Sequence, residues 1–432
     1  MTTDTSAPRS GSSDTTRNVL VGIVAVLIGL LLVAVGFLGR LVTEPSSETA
    51  PTTTQPVASE AGTGALDFEV LNEIVNILEQ DFVEPERVNE ELLFEGAVNG
   101  IFTALGDPHS TYIDPTTYAI SRDDFSGAFQ GIGATVAAQD GYVVIVQTMP
   151  NTPAERAGVQ AGDTILAVNG EDAAGWTVDR AVLAIRGPLG TTVDVTLRRL
   201  DGTEETLTIE RDEIQVASVD ALPPGGVLRD SDGNEAADVG YIRIRSFTSR
   251  TPQELNDQIA AAAERGVRGL ILDVRGNPGG LLVETAQTAD MFLDEGLIVT
   301  QVDRDGTERS IAARDGTVTD LPIVIVQDEF SASGSELLAA ALQDNGRATV
   351  IGTQSFGKGT VNHARELSNG GAVYVSIARW LTPAGNQIEG AGVTPDVPVV
   401  LTADDIEGGR DVAIFRAIES LRAEGGGVAA LP

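Results

Sequence analysis

Apolar positions along this chain follow three regimes in turn: an unbroken run, a helical period, and strands with and without intervening helices. The run is NVLVGIVAVLIGLLLVAVGFLG, Asn18–Gly39, uncharged and almost wholly apolar. At 1.5 Å per residue a helix of this length spans roughly 30 Å of hydrocarbon, which predicts a single transmembrane anchor over 19–39. A signal-peptide core is the alternative. Such cores run about 7–15 residues, and no A-x-A cleavage site follows here. Arg9 and Arg17 precede the run and Arg40 follows it. This weak positive-inside bias puts residues 1–18 in the cytoplasm and the bulk of the chain outside it. Patterning then lapses over 40–64, where TEPSSETAPTTTQPVASEAGTG is rich in Ser, Thr, Pro and Glu and reads as a disordered tether.

From Ala65 the period becomes helical. Phe68, Leu71, Ile74, Val75 and Leu78 recur at 3–4 spacing, and a second helix, NEELLFEGAVNGIFTALGDPH, stops at Gly106 with Pro108 beyond. These predict a small helical domain over 65–127. Residues 128–213 read as a β-rich unit. GIGATVAAQDGYVVIVQTM is two strands about a Gln139-Asp140-Gly141 turn, and TPAERAGVQAGDTILAVNGE a short helix and a strand ending at Asn169-Gly170. TVDRAVLAIRG is a helix with Val178, Val182 and Ile185 on one side, and TTVDVTLRR closes the unit. From Ile214 strand and helix alternate: VGYIRIRSF, TPQELNDQIAAAAERG, RGLILDVRG, LLVETAQTADMFL, LPIVIVQ, SELLAAALQDNG, then ATVIGTQ and GAVYVSIARWL. Alternation predicts helices packed on a largely parallel sheet over 214–402. The tail, 403–432, holds one more helix, RDVAIFRAIESLRAE.

Composition removes several function classes. With 63 acids and 28 bases the net charge is −35, which repels phosphate backbones and argues against nucleic-acid binding. The absence of cysteine excludes a thiol nucleophile, disulfides and thiolate-held zinc. The two histidines, His109 and His363, do not suffice for a multi-histidine metal site, and no metal or cofactor is expected. Of the 28 basic residues, one is lysine: Lys358, in SFGKGTVNH.

The candidate chemistry sits on three stretches. In SASGSELLAAALQD, Ser333 opens a helix and lies three residues before Glu336, so it reads as the N-cap of a capping box. The same place suits a nucleophile, because a serine at a strand-to-helix turn sits at the positive helix end, where N–H groups can stabilise an oxyanion. Its base is Lys358 or His363. Lysine can lose its proton and arginine cannot, which gives a reason for one lysine in an arginine background. Reaching a working range near 7–8 from about 10.4 takes roughly 4 kcal/mol, so Lys358 is expected buried among apolar groups such as Phe356. In DVRGNPGGLL the N–H groups of Gly279 and Gly280 are either oxyanion donors or part of an ordinary glycine turn.

Two resemblances sharpen this. The order of elements over 128–213, and AGVQAGDTILAVNGE above all, resembles a PDZ domain. That implies a peptide added as a strand, with its carboxylate on the loop Gly131-Ile132-Gly133. RGNPGGLL, SASGSELLAAALQD and FGKGTV in this order, with GDPHSTYI and LTPAGNQIEGAGVTPDV, resemble the C-terminal processing peptidases, or tail-specific proteases, over about 65–400. The resemblance implies a Ser–Lys dyad endopeptidase acting on unstructured protein tails with apolar C-termini. It puts the nucleophile on Ser333, not Ser331 or Ser335, and the base on Lys358. The oxyanion donors fall on Gly334, where the family usually has alanine, and on Gly279, with Gly280 the near alternative. Arg186 matches an arginine that couples peptide capture to the active site. Asn362 stands where the family has a glutamine bonded to the amine, with Gln354 a possible helper. Residues 65–100 and 410–423 are candidates for homodimer contacts. The expected fold class is α+β/α/β multidomain: membrane anchor, helical domain, PDZ domain and an α/β serine protease core. A non-catalytic PDZ scaffold and a Ser–His hydrolase using His363 are the rival readings.

Overall fold

The computed structural model describes residues 68–124, 127–223 and 226–425. The expected anchor and tether, 19–64, lie outside them, and no helix among the described residues is long and apolar enough to cross a membrane. The chain divides into two units, 1–108 and 109–432.

The first unit holds α1, Phe68–Asp81, and α2, Glu90–Leu105. The Asn89 side chain caps α2 by accepting the Leu92 N–H at 3.0 Å, and Gly106 ends it in the left-handed region. Of the 3–4 stripe read from Phe68 onward, Phe68, Leu71 and Ile74 are exposed and Val75 and Leu78 partly buried.

The second unit begins with β1, Thr111–Ile113, and α3, Pro115–Asp124. β1 pairs with Ala372–Tyr374 of the protease. The expected helical domain, drawn to residue 127, is therefore too long at its end, because a three-residue strand before a proline carries almost no periodic signal.

The PDZ-like unit is inserted between two strands that pair with each other, β2, Ala128–Gly131, and a later strand over Asp212–Gln215. Within it come β3, Ala134–Gln139; β4, Tyr142–Thr148; α4, Pro153–Arg156; β5, Thr164–Val168; β6, Glu171–Asp172; α5, Val178–Ile185; β7, Thr192–Arg198; and β8, Glu204–Glu210. The exit strand, Asp212–Gln215, is β9. Asp140 and Gly141 both take positive φ, as a tight turn between β3 and β4 requires. The β7 sequence does not close the unit as expected; a hairpin at Asp201-Gly202 adds β8. The sheet runs β3-β4-β5-β7-β8, so β3 is an edge strand. Ala181 and Ile185 of α5 pack into a core with Val143, Ile165 and Val195.

The protease core contains β10, Val219–Asp220; β11, Val239–Ile244; α6, Thr251–Glu264; β12, Gly269–Asp273; α7, Leu282–Asp290; β13, Leu297–Asp303; β14, Glu308–Ala312; β15, Ile323–Gln327; α8, Gly334–Asp344; β16, Ala348–Gly352; β17, Thr360–Glu366; β18, Ala372–Leu381; β19, Val397–Pro398; α9, Ala403–Glu407; and α10, Val412–Gly425. As alternation predicts, β11, β12, β15, β16 and β19 are parallel neighbours, with β10 antiparallel at the edge. β12 and β15 are buried throughout. Residues of one parity, such as Leu270, Leu272, Ile323 and Ile325, meet α6, α7 and α8, and those of the other, such as Ile271, Val324 and Val326, meet α10. A second, antiparallel sheet joins β1, β13, β14, β17 and β18.

Candidate active site

Three adjacent parallel strands each deliver one loop to the same end of the sheet. β12 runs into Arg275–Gly280, β15 into Asp328–Ser333, and β16 into Thr353–Gly359. The carboxyl ends of parallel strands are where such sheets collect their sites, because the loops there converge while the strands stay fixed.

The three serines of SASGS differ sharply. The Ser331 hydroxyl is buried and donates to the Val274 carbonyl at 2.9 Å, and the buried Ser335 hydroxyl donates to the Asn277 carbonyl at 2.9 Å. Ser333 is partly exposed and takes φ 52° and ψ −108°. A serine with φ above zero at a strand-to-helix turn is a strained elbow that thrusts its hydroxyl outward. α8 begins at the next residue.

Glu336, on the first turn of α8, joins this elbow to the lysine loop. Its side chain is fully buried. Oε2 accepts the Ser333 N–H at 2.7 Å and the Lys358 N–H at 2.9 Å; Oε1 accepts the Gly357 N–H and the Ser355 hydroxyl, each at 2.6 Å. Burial pushes its carboxyl above the usual glutamate range, against the pull of these four bonds.

Lys358 is half-buried, with Nζ 5.4 Å from the centroid of the Tyr374 ring. The expected wall from Phe356 is absent, since Phe356 is 46% exposed. Its N–H is turned inward to the Ser331 carbonyl, which leaves the ring outside. The Trp380 indole N–H donates to the Lys358 carbonyl at 3.2 Å.

The oxyanion candidates separate by what their N–H groups already do. The Gly279 N–H is engaged by Asn277 Oδ1 at 2.8 Å. The N–H groups of Gly280 and Gly334 donate to nothing among the described residues. The geometry thus favours the alternative, Gly280, over Gly279. Gly279 has a different part: at φ 104°, a Cβ there would lie 2.7 Å from the Gly334 nitrogen and 2.8 Å from Ser333 Cβ. At Gly334 a Cβ would lie 2.7 Å from Thr285 Oγ1 and 2.9 Å from the Phe247 ring, so the site is tight for the alanine that the resemblance implies.

Asn362 does not lie on the amine. Its amide donates to the His109 carbonyl at 2.8 Å and the Ser376 hydroxyl at 3.2 Å, and its oxygen takes the Thr360 hydroxyl at 3.3 Å. It is one methylene shorter than glutamine and sits just past a bulge at Val361/Asn362. The Gln354 amide is likewise engaged, by the Ala391 carbonyl. His363 is exposed on β17 and meets no carboxylate among the described residues, so a Ser–His–acid arrangement has no orienting acid.

Two contributors escaped sequence reading. Asn277, buried, takes the Ala332 N–H at 3.0 Å on its carbonyl and donates its amide to the Ile244 carbonyl at 3.0 Å, stapling the glycine loop to the elbow. Glu389 accepts the Gly359 N–H at 2.8 Å from a distant segment with no local signal.

In the PDZ-like unit, Ile132 and Gly133 lie between β2 and the edge strand β3, and their N–H groups donate to nothing among the described residues. Arg186, the C-cap of α5, stacks over the Phe129 ring at 4.4 Å, against Gly131. An open strand edge, unengaged N–H groups and a guanidinium beside them suit an extended peptide ending in a carboxylate.

Residues 238–399 match peptidase family S41, 125–198 match the PDZ domain, and 31–117 match the N-terminal domain of the activating protease CtpB. The chain is 35% identical over 342 residues to the carboxy-terminal processing protease CtpA of Bacillus subtilis, covering 79% of this chain and 71% of that one. It is 37% identical over 334 residues to a carboxy-terminal-processing protease of Bartonella bacilliformis, covering 76% and 74%. Among solved structures, a photosystem II D1 C-terminal processing protease aligns over 82% of this chain and 98% of its own at 26% identity, with a TM-score of 0.44.

Proposed function

Since the chain belongs to peptidase family S41, as a carboxy-terminal processing serine protease with a PDZ domain, we propose that Ser333 and Lys358 are its catalytic dyad. The observation that carries this is Glu336, whose one buried carboxylate holds the N–H groups of both residues. Neutral Lys358 takes the Ser333 hydroxyl proton as Oγ attacks the scissile carbonyl carbon. The oxyanion is held by the Gly280 and Gly334 N–H groups. As the intermediate collapses, the lysine ammonium gives its proton to the leaving amine, and water then hydrolyses the acyl-enzyme. The aromatic ring beside Lys358 favours the ammonium, and the half-buried amine sheds its proton once a bound peptide covers it.

The PDZ domain selects the substrate: a protein tail with an apolar C-terminus adds to β3, its carboxylate on the Gly131–Gly133 loop near Arg186. The uncharged run over 19–39 supports a single-pass anchor in the cell membrane, with the catalytic part outside the cytoplasm. The exposed apolar side chains of α1, Phe68, Leu71 and Ile74, support a homodimer contact.

The test uses the full chain in detergent and an unfolded protein ending in apolar residues. Wild type and His363→Ala cleave; Ser333→Ala, Lys358→Ala and Lys358→Arg do not. Cleavage by Lys358→Arg sinks the dyad, and inactive wild type points to a scaffold.

A further inference from the structure

Glu336 grips the lysine loop from the nucleophile's side, at Gly357 and Lys358. The next N–H along, that of Gly359, goes to a second carboxylate, Glu389 Oε2, at 2.8 Å. The other oxygen of Glu389 meets His109 Nε2 at 2.8 Å, and the imidazole is largely buried, at 12% exposure. The same histidine also accepts the Asn362 amide on its carbonyl at 2.8 Å. His109 thus reaches the lysine segment twice, by its ring through Glu389 and by its backbone through Asn362. Its own place is fixed: Ser110 Oγ accepts the Ser376 N–H at 3.0 Å, and β1 pairs with β18 through Thr111↔Tyr374. Tyr374 is the residue whose ring faces the Lys358 amine.

We propose that His109 and Glu389 form a positioning pair for Lys358, which holds its loop at the N–H following the two that Glu336 holds and adds a negative charge there. Among the described residues, the titratable groups whose hydrogen bonds or ring contacts reach that loop or its partners are Glu336 from α8, Glu389 from the segment before β19, His109 from the segment before β1, and Tyr374 from β18. The Glu389 carboxylate places a negative charge at Gly359, which favours the ammonium form of the neighbouring lysine. Its two hydrogen bonds, one on each oxygen, fix the carboxylate between the histidine ring and the lysine loop.

This inference rests on the dyad reading, so the experiment includes Lys358→Ala. Cleavage by the full chain is followed as kcat and KM against pH for wild type, Glu389→Gln, His109→Phe and His109→Gln. In Glu389→Gln the carboxamide oxygen can still accept the Gly359 N–H and its amide can donate to the ring, while the charge is gone. The acid limb of its kcat/KM profile is expected to move to lower pH by about half a unit or more. His109→Phe keeps the volume and loses the bond, so kcat is expected to fall about tenfold or more with KM within about twofold, as misplacement of a catalytic base does. His109→Gln restores a donor and most of that kcat. A Glu389→Gln limb that coincides with wild type overturns the proposal. So does a His109→Phe chain that melts earlier yet keeps wild-type kcat, which is the behaviour of a purely structural pair. Cleavage by Lys358→Ala overturns instead the dyad on which the pair depends.

Discussion

The Lys358 N–H lies 2.9 Å from Oε2 of Glu336, the oxygen that takes the Ser333 N–H at 2.7 Å. One carboxylate so sets the separation of two loops that come from different strands. Truncation in Glu336→Ala strips acceptors from the Ser333, Gly357 and Lys358 N–H groups and the Ser355 hydroxyl. Buried donors without partners are costly, and a loss of about 3 kcal/mol or more in urea unfolding is expected. A kcat loss of about 100-fold should accompany it, since both dyad members shift. A variant of unchanged kcat would show that the shared carboxylate does not set the dyad.

The same residue predicts a pH dependence. Burial raises the Glu336 carboxyl above the usual glutamate range. The folded state then binds more protons than the unfolded one between the ordinary value and the raised one. The contribution of Glu336 to stability is therefore full below the ordinary glutamate value and is lost as pH rises through the folded value. Melting temperatures of wild type and Glu336→Gln across pH 4–7.5 test this. The difference should move against wild type as pH rises, and a difference independent of pH would contradict it.

Gly279→Ala asks whether the glycine loop must touch the elbow. At φ 104° an L side chain is strained, and its Cβ would sit 2.7 Å from the Gly334 nitrogen, an oxyanion candidate. The expectation is a kcat loss of about 100-fold, mostly without change in KM, because a donor is displaced in the transition state. Labelling of Ser333 by a serine-reactive probe should slow in parallel. Unimpaired labelling and turnover would mean that the loop yields without harm.

Much of this could be read from the sequence because the relevant signals are local. The alternation through LILD and IVIV betrays buried parallel strands. The S-x-x-E pattern placed the start of α8 on Ser333, and Asp140-Gly141 marked a hairpin. What escaped was non-local. β1 and β17 have no period of their own and exist because β18 offers them an edge. Glu389 is one more exposed acid in a chain full of acids until Gly359 is brought against it. Asn362 matched a family position by spacing, yet a bulge beside it and a shorter side chain turned its amide to the His109 carbonyl. The burial expected of Lys358 failed at Phe356 because the sequence cannot show which way a loop turns its side chains.

Beneath the glycine loop, Arg275 bonds Asp273 at 2.6 Å and Asp411 of the C-terminal segment at 2.8 Å. Burial pushes the Asp273 carboxyl up, but the Arg275 guanidinium and the Tyr241 hydroxyl together bring it below its ordinary value. Its contribution to stability is present above the ordinary aspartate value and is lost as pH falls through the folded value. Arg275→Met leaves a buried carboxylate unpaired, and a loss of about 3–5 kcal/mol is expected at pH 7. Acidification to pH 4 should close much of the gap to wild type, and adding Asp273→Asn should recover part of the loss. A gap that widens in acid would refute the pairing as its cause.

Arg186 tests how the PDZ domain reads a tail. Its guanidinium stacks on Phe129 and its stem lies 3.7 Å from the would-be Cβ of Gly131. Methionine at this position keeps packing on the ring and loses the charge. Substrates with a free C-terminal carboxylate and with an amidated one separate the two effects. Wild type should favour the free carboxylate about tenfold in kcat/KM, a charge-assisted bond being worth roughly 1.5–3 kcal/mol. Arg186→Met should lose most of that preference while cleaving the amidated substrate as wild type does. Equal losses on both substrates would assign Arg186 to holding α5 against Phe129 of β2, and would leave recognition of the carboxylate to the N–H groups of Ile132 and Gly133.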